Sequence, residues 1–379
     1  MRPRTKAWVA AGSGIAVGLT GLALSALPAG ADDDPVLPEI GAEELVTSAL
    51  EARPPAFDGV AEVTNELGLP PVPGAEALDF ESVRVFHDGA ESTRVQIERP
   101  ASELTFVTNT EEAWAYDSQE HAARQLTWDE DDAAAARDHA EAELADPSRA
   151  AAEIIERLRP TSDIFVDGTA SVAGRDAYEL VLTPKPSEKT LLREITVAID
   201  EETRAPLRLE VFANGTTDPV LSLGFVEFEV GAQDAELFEF TPPEGAEVES
   251  AEADDVAAEA GKHGGRDAGA LEERTTTIGD GWDTVVIGEM PAEARSGEAA
   301  GPARELGEEA GALGEFGGGD QDLAGMLEQF GTPVSGEFGS GVHVEIAVGG
   351  AIVTDDGRIA AGAVPRQVLV DALDGADQQ

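Results

Sequence analysis

The stretch at 174–212, GRDAYELVLTPKPSEKTLLREITVAIDEETRAPLRLEVF, contains three runs in which apolar and polar residues alternate. Tyr178, Leu180 and Leu182 form the first, Ile195, Val197 and Ile199 the second, and Leu207, Leu209 and Val211 the third. A period of two places every second side chain on one side of an extended chain. Each run therefore predicts a strand of an antiparallel sheet with one apolar face and one solvated face. The turn signals TPKPSEK and DEETRAP separate the runs. No His, Ser or carboxylate cluster stands among them, so the apolar face presses either on a protein core or on something the protein carries.

The same alternation recurs upstream. FDGVAEVTNELG (57–68) is a strand, LPPVPGAEALDF (69–80) a Pro-rich connection, and SVRVFHDGAESTRVQIERP (82–100) a hairpin turning at Asp88-Gly89. ELTFVTN and EAWAYDS alternate with Leu104, Phe106, Trp114 and Tyr116 expected on one side, and ARQLTWD completes a hairpin with Leu126 and Trp128. Two helical stretches interrupt the strands. GAEELVTSALEARPP (41–55) turns Leu45, Val46, Ala49 and Leu50 inward and stops at Pro54-Pro55. The Ala/Glu-rich 129–160 predicts two helices divided at Asp146-Pro147, the second with an Ile154, Ile155 and Leu158 stripe ended by Pro160. In PVLSLGFVEFEV (219–230) the apolar phase shifts from Leu221, Leu223 and Phe225 to Val226, Phe228 and Val230, which predicts a bulge near Gly224.

The predicted fold class is α+β: a strongly curved antiparallel sheet, an unclosed barrel, around a few helices, with a small C-terminal α+β unit and acidic linkers. Residues 1–31 carry Arg2, Arg4 and Lys6, then an apolar run and the small residues Ala29-Gly30-Ala31. This is a signal peptide with Ala29 and Ala31 at the cleavage site, an uncleaved anchor being the alternative. Residues 32–40 are a tether and 41–248 the main domain. An acidic linker (249–272), one strand segment (273–291) and an acidic Gly-rich linker (292–320) lead to the C-terminal unit (321–379). That unit combines a short helix at 322–330, a strand pair turning at Asp355-Asp356-Gly357 and a last helix with Pro365 in its first turn. With about 60 ordered residues it is too small to stand alone and should pack on the main domain.

The 379 residues include 25 Lys and Arg against 76 Asp and Glu, a net charge of −51. Such a field repels nucleic acid and anionic headgroups, so neither is an expected partner. The chain has no cysteine, which excludes disulfides and an acylated lipoprotein terminus. The five histidines are isolated, and His139 with Glu143 on one helical face suits a solvated surface better than a metal. No nucleophile elbow, phosphate loop or dinucleotide motif occurs, so no catalytic residue, metal or cofactor is expected. Asn214-Gly215-Thr216 is read as a turn, and GGAIVTDDG as turns within a hairpin.

What remains is the sheet. Helical cover for so many strands is sparse, and a curved sheet with an incompletely covered apolar face leaves a groove for an apolar ligand. The candidates by strand phase are Leu104, Phe106, Trp114, Tyr116, Trp128, Tyr178, Leu180, Ile195, Val197, Leu209 and Phe225. Taken singly, each reads first as ordinary core covered by the helices at 42–52 and 147–158; the case for a groove is the sheet as a whole. An acyl chain gaining ~0.8 kcal/mol per buried CH₂ would bind with on the order of 10 kcal/mol before association costs.

Three motifs carry a resemblance: G-R-x-A-Y-x-L-x-L-x-P at 174–184, I-D-x-x-T-x-x-P-L-R at 199–208 and F-x-F-T-P-P-x-G-A at 238–246. With them, residues 41–248 resemble the LolA-like superfamily, in its actinobacterial branch. That group takes in periplasmic lipoprotein carriers and the N-terminal domain of the RseB-type sigma-E regulator. The resemblance implies an acyl-chain cavity, no cofactor and no catalytic residues. It implies an exported, monomeric carrier of lipid or lipoprotein acyl chains. The alternative is an RseB-like regulator binding an anti-sigma factor or another envelope protein.

Overall fold

The computed structural model describes residues 35–69, 80–128, 147–253, 275–289 and 331–376. The signal segment, the expected helix before Pro147 and the 322–330 helix lie outside the described residues. So does all of the second acidic linker and all but the start of the first.

Alternation becomes strand throughout the first unit: β1 (Ala56–Asn65), β2 (Ser82–Asp88), β3 (Thr93–Glu98), β4 (Glu103–Thr108), β5 (Glu112–Asp117) and β6 (Ala122–Thr127). After a helix follow β7 (Ser162–Val172), β8 (Arg175–Pro184), β9 (Leu192–Asp200), β10 (Pro206–Ala213), β11 (Leu221–Val230) and β12 (Glu247–Glu252). They form one sheet in the order β12-β6-β5-β4-β3-β2-β1-β11-β10-β9-β8-β7. β1 pairs with β11, joining the two meanders. All pairings are antiparallel except β12 with β6, which is parallel. The sheet is curved and not closed into a barrel.

Its curvature has a direct sign. β7 and β11 are four places apart in the order, about 19 Å in a flat sheet, yet they touch. The buried alanines Ala170, Ala177 and Ala198 lie with Leu207, Phe225 and Phe228 where the sheet coils back. Small side chains permit that approach. The bulge falls at Val226, two residues beyond the expected Gly224: the β1–β11 register skips Val226. The skip keeps Phe225 and Phe228 on one side, where Phe57 stacks on Phe228 at 4.7 Å. Gly59 is required there, since a Cβ would come within 2.6 Å of the Phe225 ring.

α1 (Ala42–Glu51) and α2 (Pro147–Leu158) pack on each other beside β7. The buried stripe of α2 is Ala151 and Ile155, while Ile154 is 41% exposed, so the predicted stripe is displaced around the helix. Of the expected tether at 32–40, residues 35–40 are described: Leu37 and Ile40 pack on the sheet, and Thr169 Oγ1 donates to the Pro35 carbonyl at 2.6 Å.

The C-terminal unit differs most from expectation. Residues 275–289 form a hairpin, β13 (Thr275–Ile278) and β14 (Val285–Glu289), where one strand was predicted; Gly279, at φ 90°, helps turn it. The predicted strand pair is three strands, β16 (Gly339–Ile346), β17 (Gly349–Thr354) and β18 (Arg358–Gly362), preceded by β15 (Thr332–Gly336). All six join in the order β13-β14-β18-β17-β16-β15. α3 (Arg366–Ala376) starts directly after Pro365 and buries Leu369, Ala372 and Leu373 against Val285, Ile287, Ile352 and Ala360. This sheet docks on the first. The Trp282 indole donates to Ser162 Oγ at 2.7 Å, Leu191 N donates to the Ala363 carbonyl at 2.9 Å, and Ala347 N to the Leu67 carbonyl at 2.8 Å.

Candidate functional site

Residues directly opposed in an antiparallel pair share a face, so the registers define the apolar side. One row runs Leu180, Val197, Leu209, Leu223 and Val63 across five strands. The row beside it runs Leu182, Ile195, Val211 and Leu221. Through β1 the same face continues as Ala61, Val83, Ile97 and Leu104, and as Gly59, Val85, Val95 and Phe106. Eight predicted candidates therefore share one face: Leu104, Phe106, Tyr178, Leu180, Ile195, Val197, Leu209 and Phe225.

The other three do not. Trp114 and Tyr116 oppose Val107 and Thr105, whereas Phe106 and Leu104 oppose Ala115 and Asp117. The two aromatics thus project from the opposite face, correcting the expectation that all four residues share a side. Alternation within each strand was read correctly, but the phase between strands is set by the Asn109–Glu111 turn. There Asn109 Oδ1 accepts from the backbone of Glu111 at 2.9 Å and of Glu112 at 3.1 Å. Trp114 and Tyr116 pack instead on Phe240, with centroids at 5.4 and 5.9 Å. The segment carrying Phe240 is tied down by Arg94 donating to the Leu237 carbonyl and Asn109 to that of Phe238. Trp128 lies past the end of β6, half-buried, and its indole donates to the Thr110 carbonyl at 2.8 Å.

Three features border the apolar face. Over β8 and β9 lies α1, with Leu45 fully buried and Val46, Ala49, Leu37 and Ile40 beside it. At one end Phe57, Phe225 and Phe228 make an aromatic wall that includes His87, 5.9 Å from Phe57. Burial holds the His87 imidazole below its ordinary pKa, against the opposing effect of Asp88. At the other end Leu67, Leu69, Ala213 and Val220 meet Ala347 and Val348 of the second sheet. Between these borders Ile195, Val197, Leu209, Leu223, Val63, Val85, Ile97 and Phe106 are only half-buried. Sequence reasoning missed Val63, Val85, Ile97 and Leu223 as members of this face; the alternation of their own strands carried the signal.

Charge is partitioned between the two faces of the same strands. Arg208 and Glu210 flank Leu209 and point to the opposite side, where Arg208 pairs with Glu179 at 2.7 Å and Glu210 at 3.2 Å. Burial raises the Glu210 carboxyl pKa despite Arg208, and nearby Glu194 adds to the rise. Among the described residues no group of three or more His, Asp or Glu side chains could hold a metal ion. Among them, too, no helix is long and apolar enough to cross a membrane. Asn214 donates its amide to the Thr190 and Leu192 carbonyls, as a turn residue does.

No protein-family model matches the chain, and no curated protein matches it. Among solved structures it is similar to the MucA/MucB complex of Pseudomonas aeruginosa, at 13% identity and TM-score 0.40, over 87% of this chain and 94% of that one. It is also similar to a LolA superfamily protein of Nitrosomonas europaea, at 13% identity and TM-score 0.22, over 53% and 99%. A conserved protein of Thermus thermophilus gives 15% identity and TM-score 0.32, over 55% and 95%.

Proposed function

We propose that the half-buried apolar face of the large sheet binds an acyl chain non-covalently, and that the protein carries lipid or lipoprotein acyl groups outside the cytoplasmic membrane. The observation that carries this reading is the run Ile195, Val197, Leu209, Leu223 and Phe106, half-buried and uncharged, while the charges of the same strands lie on the other face. Removing such a surface from water is favourable by about 25 cal/mol per Å² of apolar area, and a flexible hydrocarbon needs no polar contact to gain it. The role is one of binding, with no catalytic residue.

The test is a pair of charge insertions, Val197→Glu and Leu209→Glu, at positions not fully buried. Each should reduce uptake of a fluorescent fatty acid at least tenfold while circular dichroism still reports a folded sheet. Undiminished uptake by both folded variants would sink the reading.

A second reading, an envelope regulator that binds an anti-sigma factor or other protein, draws support from the six-stranded sheet. Its outer strand β15 pairs on one side alone among the described residues, and such an edge accepts a partner strand. Envelope proteins retained on an immobilised Val197→Glu variant as well as on the parent would favour it.

A further inference from the structure

We propose that the turn joining β16 to β17 is an end stop for the bound acyl chain, and that Val348 sets the length the site accepts. This deepens the acyl-chain reading above and rests on it. The turn consists of Ala347 and Val348 alone, since Ile346 pairs with Gly349. Tight two-residue turns favour Asn, Asp and Gly, and an apolar pair at a hairpin tip is at odds with exposure to water. Here the pair packs against the buried cluster of Leu67, Ala213 and Val220, on which Val211 and Leu221 of the face also pack.

The tip is held in place. Ala347 N donates to the Leu67 carbonyl at 2.8 Å. Gly349 and Gly350 leave no room for side chains of their own, because a Cβ would lie 2.3 Å from the Gly362 carbonyl oxygen at one and 2.5 Å from the Val344 oxygen at the other. The hairpin is therefore pinned by its backbone, and the Val348 side chain is what varies the reach of the tip. The registers locate that reach. The row Leu182, Ile195, Val211 and Leu221 contributes two residues to the stop, whereas Leu180, Val197, Leu209 and Leu223, one row further in, contribute none. Rows on one face are two residues apart, or about 7 Å. A chain lying over Val197 and Leu209 and running past Val211 thus meets, two rows on at Ala213, the cluster against which Val348 packs.

The experiment measures displacement of a fluorescent fatty acid by a series of straight-chain saturated fatty acids of increasing length. Parent protein, Val348→Gly, Val348→Ala and Val348→Phe are compared, each checked for an unchanged unfolding midpoint. The best-bound length should move to longer chains in Val348→Gly, less so in Val348→Ala, and to shorter chains in Val348→Phe. Coincident length profiles in folded variants would overturn the end stop and leave acyl binding standing. If the parent binds no member of the series, the acyl-chain reading falls and the end stop with it.

Discussion

Asp200 shows how much one residue of this chain carries. Its side chain is almost fully buried and accepts two hydrogen bonds from Arg175, at 2.6 and 2.9 Å. It accepts three more from the backbone of Glu202 and the backbone and hydroxyl of Thr203. These bonds fix the β9–β10 turn, including Arg204 at φ 62°, whose guanidinium lies over the Tyr178 ring. The I-D-x-x-T-x-x-P-L-R pattern was visible in the sequence; that its Asp and Thr brace a turn and reach back to Arg175 was not, because Arg175 lies one hairpin away. Burial alone raises the Asp200 pKa, but the Arg175 and Thr203 donors outweigh it and hold the carboxyl below its ordinary value. A depressed pKa gives stability that is complete above the unfolded value of about 3.9 and is lost as the pH falls through the folded one. Asp200→Ala should cost about 3 kcal/mol by urea unfolding at neutral pH, since it leaves the partly buried Arg175 with only the exposed Glu202 carboxylate as an ionic partner. It should also flatten the fall in stability below about pH 4. A variant as stable and as acid-sensitive as the parent would refute this role.

At the scale of elements, legibility followed the physics of each signal. Strands β1 to β6 and β8 to β11 alternate because one face is buried, and the sequence showed them. β12 was hidden because EVESAE is exposed or half-buried on both sides and pairs only at an edge, so no alternation marks it. The β13–β14 turn was hidden because Gly-Asp-Gly-Trp-Asp turns the chain within an otherwise continuous Thr and Val run. The inter-strand phase of β4 and β5 depends on turn geometry, which alternation does not encode. That phase makes a prediction. Phe106→Trp places an indole on the lining face, and a brominated fatty acid should quench its emission. Trp114, on the other face, should keep its emission, as comparison with Trp114→Phe would show. Equal quenching of both positions would contradict the assigned faces.

For the molecule as a whole, a net charge of −51 on 379 residues is self-repulsion that folding must overcome. Dissolved salt screens it over about 10 Å at 0.1 M. The unfolding temperature should therefore rise as sodium chloride is raised from 10 mM to 1 M, and a midpoint that falls or stays level would argue against this account of the charge. Fixed contacts hold the two sheets together, among them Trp282 with Ser162 and Glu188, Ala363 with Thr190 and Leu191, and Ala347 with Leu67. The sequence indicated that the C-terminal unit needs a partner surface, but which residues dock could not be read from it, since they come from distant loops. The docking brings Ala347 and Val348 to the end of the apolar face on which the acyl chain is proposed to lie. Native mass spectrometry of the protein purified without detergent, followed by solvent extraction and lipid analysis, tests this most directly. A stoichiometric acyl-chain ligand that solvent releases is the predicted result; ligand-free protein that takes up no added fatty acid would contradict it.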